Sequence, residues 1–172
     1  KGKRYNFNNY CGLFRLTILR TILDRLIYND VYPIIDMKLT DANVGGRKGR
    51  NIQDNLFVLN AVTNSVKRGN EDACEVVIYN AEKCFDSLWA QDCLNDLYGA
   101  GCVDDKLVLL QLGTRNANVA IQTFQGITQR VNIQNIIMQG GVFGSLQCTT
   151  SIDKLAKEVY SRPELIYMYK GI

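Results

Sequence analysis

Glu75-Val76-Val77-Ile78-Tyr79-Asn80-Ala81-Glu82-Lys83-Cys84-Phe85-Asp86-Ser87-Leu88 is the stretch on which the reading of this chain turns. Residues 75–79 form a short, β-branched apolar run, which predicts a buried strand. Polar Asn80 then stands at the strand's end. A turn follows, and a helix is expected over 87–98, closed by Gly99 and Gly101. A strand end is a rigid platform for a metal-binding carboxylate, because the sheet fixes its direction. Here that position carries an amide. Taken alone, Glu82 and Asp86 read better as ordinary turn and helix-cap residues than as ligands.

Upstream, a helix is expected over 16–28, with Leu16, Leu19, Leu23, Leu26 and Ile27 on one face and Pro33 marking a stop. Residues 40–50 read as a loop, with glycines at 45, 46 and 49. A helix follows at once, with Asn51 as N-cap and Asp54 in the first turn. Ile52, Leu56, Leu59, Val62 and Val66 line one of its faces, and Arg68-Gly69-Asn70 ends it. Downstream, Asp104 caps a helix through Leu112. Residues 119–121 and 131–133 read as a strand pair joined around Gly126. Gly140-Gly141 opens a loop, and a helix is expected over 145–160. Strands mixed with helices predict a layered α+β (mixed α/β) fold.

The chain has 172 residues, 47% of them hydrophobic, enough for one buried core and one domain. Lys+Arg number 20 and Asp+Glu 17, a net charge of +3, which permits nucleic-acid contact without arguing for it. The basic start (Lys1, Lys3, Arg4) reads either as a solvated terminus or as a template contact. No apolar run is long enough to span a bilayer, so no membrane association is expected, and no signal segment opens the chain. The cysteines at 11, 74, 84, 93, 102 and 148 make no C-x-x-C pair, and histidine is absent, which argues against a zinc site. Reduced thiols inside the cell, in nucleus or cytoplasm, are the expectation, most of them as small buried apolar groups. Neither Lys1 nor Ile172 looks like a natural terminus, so the chain reads as a segment of something longer.

Four segments in order then resemble one family. Asn9-Tyr10-Cys11-Gly12-Leu13, with the helix containing Ile22-Leu23-Asp24-Arg25-Leu26-Ile27, resembles N-[YF]-R-[PG]-I. Gly45-Gly46-Arg47-Lys48-Gly49-Arg50-Asn51-Ile52-Gln53-Asp54 resembles G-F-R-x-G-R-S-T-x-D. Asn80 to Ser87 resembles D-A-x-K-A-F-D-S after an apolar strand. Met138-Gln139-Gly140-Gly141-Val142-Phe143-Gly144-Ser145 resembles R-Q-G-G-V-L-S-P. Each segment is weak alone. Together, in order and over most of the chain, they resemble the reverse transcriptase domain of LINE-type (non-LTR) retrotransposons.

The resemblance implies a partial right-hand polymerase, with residues 1–70 fingers-like and 71–172 an incomplete, antiparallel palm. It implies an RNA template, an RNA–DNA hybrid and deoxynucleotides as partners, and two Mg²⁺ ions that activate the primer hydroxyl and neutralise the leaving group. Asn80 falls where the family has its first metal aspartate, and Ala81 falls where the family's next backbone carbonyl helps hold the metal. Phe85 matches the gate that rejects a ribose 2′-hydroxyl. Gln139 and Gly140 match residues along the incoming nucleotide and template. Arg47 and Arg50 match a segment lining the nucleic-acid path, where guanidinium suits phosphate.

Departures matter as much. Asn80 lacks the charge that hard Mg²⁺ needs. Cys11 stands at the family's triphosphate-binding arginine, Gly46 replaces an aromatic residue, and Gly144-Ser145 replaces Ser-Pro. No F-A-D-D motif occurs in the 172 residues, and Val103-Asp104-Asp105 reads as a helix start. The expectation is an inactive fragment in which Mg²⁺ is not properly held. A non-catalytic nucleic-acid-binding module and a structural remnant are the alternatives. An uncovered palm edge also predicts self-association.

Overall fold

The computed structural model of the protein describes residues 10, 12–69, 76–114, 117–133 and 137–162. Among these, the helices are α1 (Ile18–Asp36), α2 (Ile52–Lys67), α3 (Cys84–Ser87), α4 (Ala90–Gly99), α5 (Asp104–Thr114) and α6 (Gly144–Tyr160). The strands are β1 (Ala117–Val119), β2 (Gln122–Thr123), β3 (Gly126–Ile127) and β4 (Val131–Ile133). The fold is mixed α+β, as the pattern of elements predicts. Two compact units divide it. The first comprises Lys1–Lys38 with Glu82–Ser151, and the second Leu39–Ala81 with Ile152–Ile172.

In the first unit, Thr17 caps α1, its Oγ1 accepting from the Arg20 amide at 3.3 Å. Helix α1 does not stop before Pro33 but runs through it to Asp36. Proline removes only the bond to the carbonyl of Asn29, and Asn29 and Pro33 both lie on the exposed side, where water replaces it. The buried stripe is also rotated from the one expected. It consists of Asp24, Ile27, Val31, Tyr32 and Ile35, while Leu19, Leu23 and Leu26 are exposed. Arg20 accounts for part of this, since its Nε donates to Asp24 Oδ1 at 2.6 Å and lets a carboxylate turn inward.

The helix expected from residue 87 starts at Ala90 instead, because α3 is a separate turn that ends with Leu88 in an extended conformation. Cys93, Leu94 and Leu97 of α4 and Leu110 of α5 are buried. Gly101, with φ +108°, reverses the chain between α4 and α5, and a Cβ there would lie 3.0 Å from the Ile34 side chain. A strand pair around Gly126 is present, but its first strand lies at 117–119 and not at the expected 119–121. β1 pairs antiparallel with β4, Val119 opposite Val131, and β2 pairs with β3 at the tip, Thr123 opposite Gly126.

In the second unit, α2 starts as its sequence predicts. Asn51 accepts from the Gln53 amide at 2.7 Å, and Asp54 Oδ2 accepts from the Asn51 amide at 3.0 Å, a reciprocal cap. Its apolar face is only partly covered, with Leu59, Val62 and Val66 half-buried and Ile52 and Leu56 exposed. The buried strand expected at 75–79 is not formed. Glu75 lies outside the described residues, and 76–80 carry no strand pairing, with Ile78 85% and Tyr79 89% exposed. A strand needs a neighbour to satisfy its backbone N–H and C=O groups. Among the described residues the strands pair only with one another, β1 with β4 and β2 with β3. Asn80 therefore does not stand at the end of a sheet strand.

Candidate functional site

The first unit gathers three of the segments singled out from the sequence. The turn Gln139-Gly140-Gly141 precedes α6, with the Gly141 amide donating to the Met138 carbonyl at 2.9 Å. Gly140 has φ +95°, a left-handed conformation that glycine adopts without steric cost. A Cβ there would also lie 3.1 Å from the Phe14 carbonyl oxygen. A Cβ on Gly144 would collide with the Met138 carbonyl oxygen. The Phe14 amide donates to the Gln139 carbonyl at 2.8 Å, tying the segment before α1 to this turn. Phe85 packs on the cluster of Ala90, Cys93 and Ile137 together with Leu88, and its Cε1 lies 3.6 Å from the Cβ position of Gly144.

Lys83 carries the chain into α3 with φ +49° and ψ +45°. A non-glycine residue held there costs about 1–2 kcal/mol, so neighbouring contacts must fix the turn. One is the hydroxyl of Ser87, which donates to the Glu82 carbonyl at 3.2 Å. Another is a thiol contact, Cys84 Sγ to Cys148 Sγ, at 3.3 Å. Burial pushes the Cys148 thiol up to about 12, with the hydrogen bond to Cys84 adding to the shift.

The second unit holds the other candidates. Arg47 Nη1 donates to the carbonyls of Thr40 at 2.8 Å and Asn43 at 3.0 Å, and Arg50 Nη2 pairs with Asp41 Oδ1 at 2.7 Å. Both guanidinium groups thus shape the 40–50 loop. The loop is anchored by Asp153 of α6, which is 0% exposed. Its Oδ1 accepts from the Thr40 amide at 3.0 Å, the Thr40 hydroxyl at 2.7 Å and Asn43 Nδ2 at 3.2 Å. Lys157 Nζ stands 3.0 Å from Oδ2, an ion pair rather than an aligned hydrogen bond. Burial alone would raise the carboxyl's pKa. Hydrogen bonds from Thr40 and Asn43, with the nearby Lys157 ammonium, outweigh it and hold the group below the usual carboxylate range.

Sequence reasoning missed this anchor. A signal was present: Asp153 falls seven residues after buried Leu146 and so shares its helix face, where a lone carboxylate demands partners. Beside the anchor lies a cavity of about 560 Å³, lined by apolar Val44, Ile152, Leu155, Ala156 and Val159 and by Asn55, among others. Among the described residues no charged side chain borders it, and this lining does not suit a phosphate.

Asn80 and Ala81 are exposed and outside any strand. No group of three or more His, Cys, Asp or Glu side chains among the described residues could hold a metal ion. Exposed, neutral Asn80 without a carboxylate cluster does not fit the Mg²⁺ pair that the family resemblance implies. Asp104 and Asp105 begin α5, in keeping with their reading as a helix start. Cys11 and the basic residues Lys1, Lys3 and Arg4 lie outside the described residues. Comparison with protein-family models and with curated proteins finds no match. No helix among the described residues is long and apolar enough to cross a membrane.

Proposed function

We propose that this chain is part of a LINE-type reverse transcriptase, contributing fingers and palm surface that grips an RNA template or RNA–DNA hybrid without completing the catalytic metal site. The observation that supports this reading is the meeting of Phe14, Phe85 and the Gln139–Gly144 turn in one unit. These come from, or directly follow, three of the four family-like segments, far apart in sequence. Gly144 is buried against the Met138 carbonyl, but Gly140 is exposed and carries no side chain, so a nucleotide's base or sugar can approach its backbone closely. In the second unit Arg50 is exposed. A guanidinium carries five N–H donors, so its pairing with Asp41 leaves it able to meet a phosphate as well. Catalysis is not part of the proposal for these 172 residues. The one family-like metal side chain is an amide, Asn80, beside the backbone carbonyl of Ala81, and no F-A-D-D motif occurs.

The test is titration of a labelled RNA–DNA hybrid at low and moderate salt. With about three phosphate contacts, affinity is expected to fall roughly 40-fold between about 50 and about 200 mM monovalent salt. Absence of binding at the lower salt, from protein shown to be folded by circular dichroism, would overturn the proposal.

A further inference from the structure

We infer that Cys84 and Cys148 form a reactive thiol pair that closes to a disulfide on exchange with a low-molecular-weight disulfide, stapling the start of α3 to the first half of α6. The inference rests on the geometry of the first unit alone and not on the nucleic-acid reading. The two sulfurs lie 3.3 Å apart although 64 residues separate them in sequence. A disulfide needs about 2.05 Å, so the sulfurs must approach by about 1.3 Å. Cys84 opens a helix of one turn, entered through strained Lys83, and such a segment can shift by that amount.

The pair is also asymmetric in the way exchange requires. Cys84 is half-buried and reachable by a small disulfide, whereas Cys148 is buried. The raised pKa of Cys148 keeps it protonated and slow to react first, which leaves Cys84 as the entering nucleophile. The other thiols described are placed differently. Cys93 is close enough to Cys148 to add to the upward push on its thiol, but it is fully buried and accepts from the Ser151 hydroxyl at 3.1 Å, and Cys102 is buried. The pair belongs to no metal-binding group among the described residues.

The exchange runs in two steps. The Cys84 thiol gives up its proton, and its sulfur attacks one sulfur of the external disulfide. That S–S bond breaks, and the first small thiolate leaves and takes up a proton. The Cys148 thiol then loses its proton and attacks Cys84 Sγ. The mixed disulfide breaks, and the second small thiolate leaves and is protonated. Two protein thiols are oxidised and one external disulfide is reduced to two thiols.

The experiment uses the full chain incubated with oxidised glutathione, quenched by alkylation, digested without reduction and analysed by mass spectrometry. In the folded protein the expected product is a crosslinked peptide pair containing Cys84 and Cys148. In protein unfolded with guanidinium, the same treatment should scatter crosslinks among all six cysteines. Cys148→Ser should stop at a glutathione adduct on Cys84. Scattered crosslinks in the folded protein, or both thiols recovered alkylated, would overturn the inference. If Cys148→Ser fails to fold, the contrast between folded and guanidinium-treated protein decides the matter by itself.

Discussion

Replacing Asp153 with Ala is expected to be among the most damaging single changes in the second unit. Asp153 is completely buried, accepts three hydrogen bonds on one oxygen and pairs with Lys157 through the other. Alanine would strand the Thr40 amide, the Thr40 hydroxyl and the Asn43 amide group. A buried donor left unpaired costs about 1–3 kcal/mol, and removing one partner of a buried ion pair about 3–5 kcal/mol. Thr40 and Asn43 are half-buried, so water recovers part of the loss. The expected cost is about 3–4 kcal/mol, a large share of a typical domain's stability.

Asp153→Asn keeps the shape and one acceptor oxygen but loses the charge. Half-exposed Lys157 can turn to water, so the expected cost is about 1–2 kcal/mol. Urea unfolding followed by circular dichroism measures both, and hydrogen exchange over residues 40–50 localises the effect. The pH dependence has a definite sign. The carboxyl is held below its ordinary value in the fold, so its contribution is complete above the ordinary aspartate range. It is lost as pH falls toward the lower folded value. Ala costing under about 1 kcal/mol, or Asn costing as much as Ala, would refute the reasoning.

Other changes have equally definite outcomes. Gly144→Ala is expected to cost about 1–3 kcal/mol, because its Cβ meets the Met138 carbonyl, whereas Gly45→Ala, with only Asn43 Oδ1 at 3.8 Å, should stay within about 0.5 kcal/mol in the same urea assay. Exposed Ile52, Leu56, Phe57 and Val58 on α2, with Val76–Tyr79, predict self-association visible by light scattering at about 10 μM. Ile78→Lys should reduce it without loss of stability, and a monodisperse monomer of the unaltered chain would contradict the expectation. Primer extension on an RNA template should stay at background for the unaltered chain and for Asn80→Asp, since one restored carboxylate does not make a metal cluster.

What was legible in the sequence is what local chemistry decides. The reciprocal cap of Asn51 and Asp54 lies within four residues, and the β1–β4 pair was legible around Gly126, though its first strand was expected two residues too late. What was not legible depends on distant partners. Residues 76–79 look like a strand by composition, but composition does not supply the neighbour that makes one. The leucines of α1 suggest a core face, yet the Arg20–Asp24 pair helps to turn a different stripe inward. Asp153 reaches Thr40 across 113 positions, beyond any periodicity. Of the candidate site, the segments were legible in order. The bond from Phe14 to Gln139 and the packing of Phe85 beside Gly144 were not, because each joins stretches separated by tens of residues.

The central claim is that the glycine turn before α6, together with the Phe85 segment, lies against nucleic acid. Photocrosslinking tests it most directly, using an RNA–DNA hybrid that carries a photoreactive base, with the attached peptides identified by mass spectrometry. The account predicts adducts within residues 80–88 and 138–145 that a competing unlabelled hybrid abolishes. Adducts confined to other segments, or none from folded protein at low salt, would contradict it.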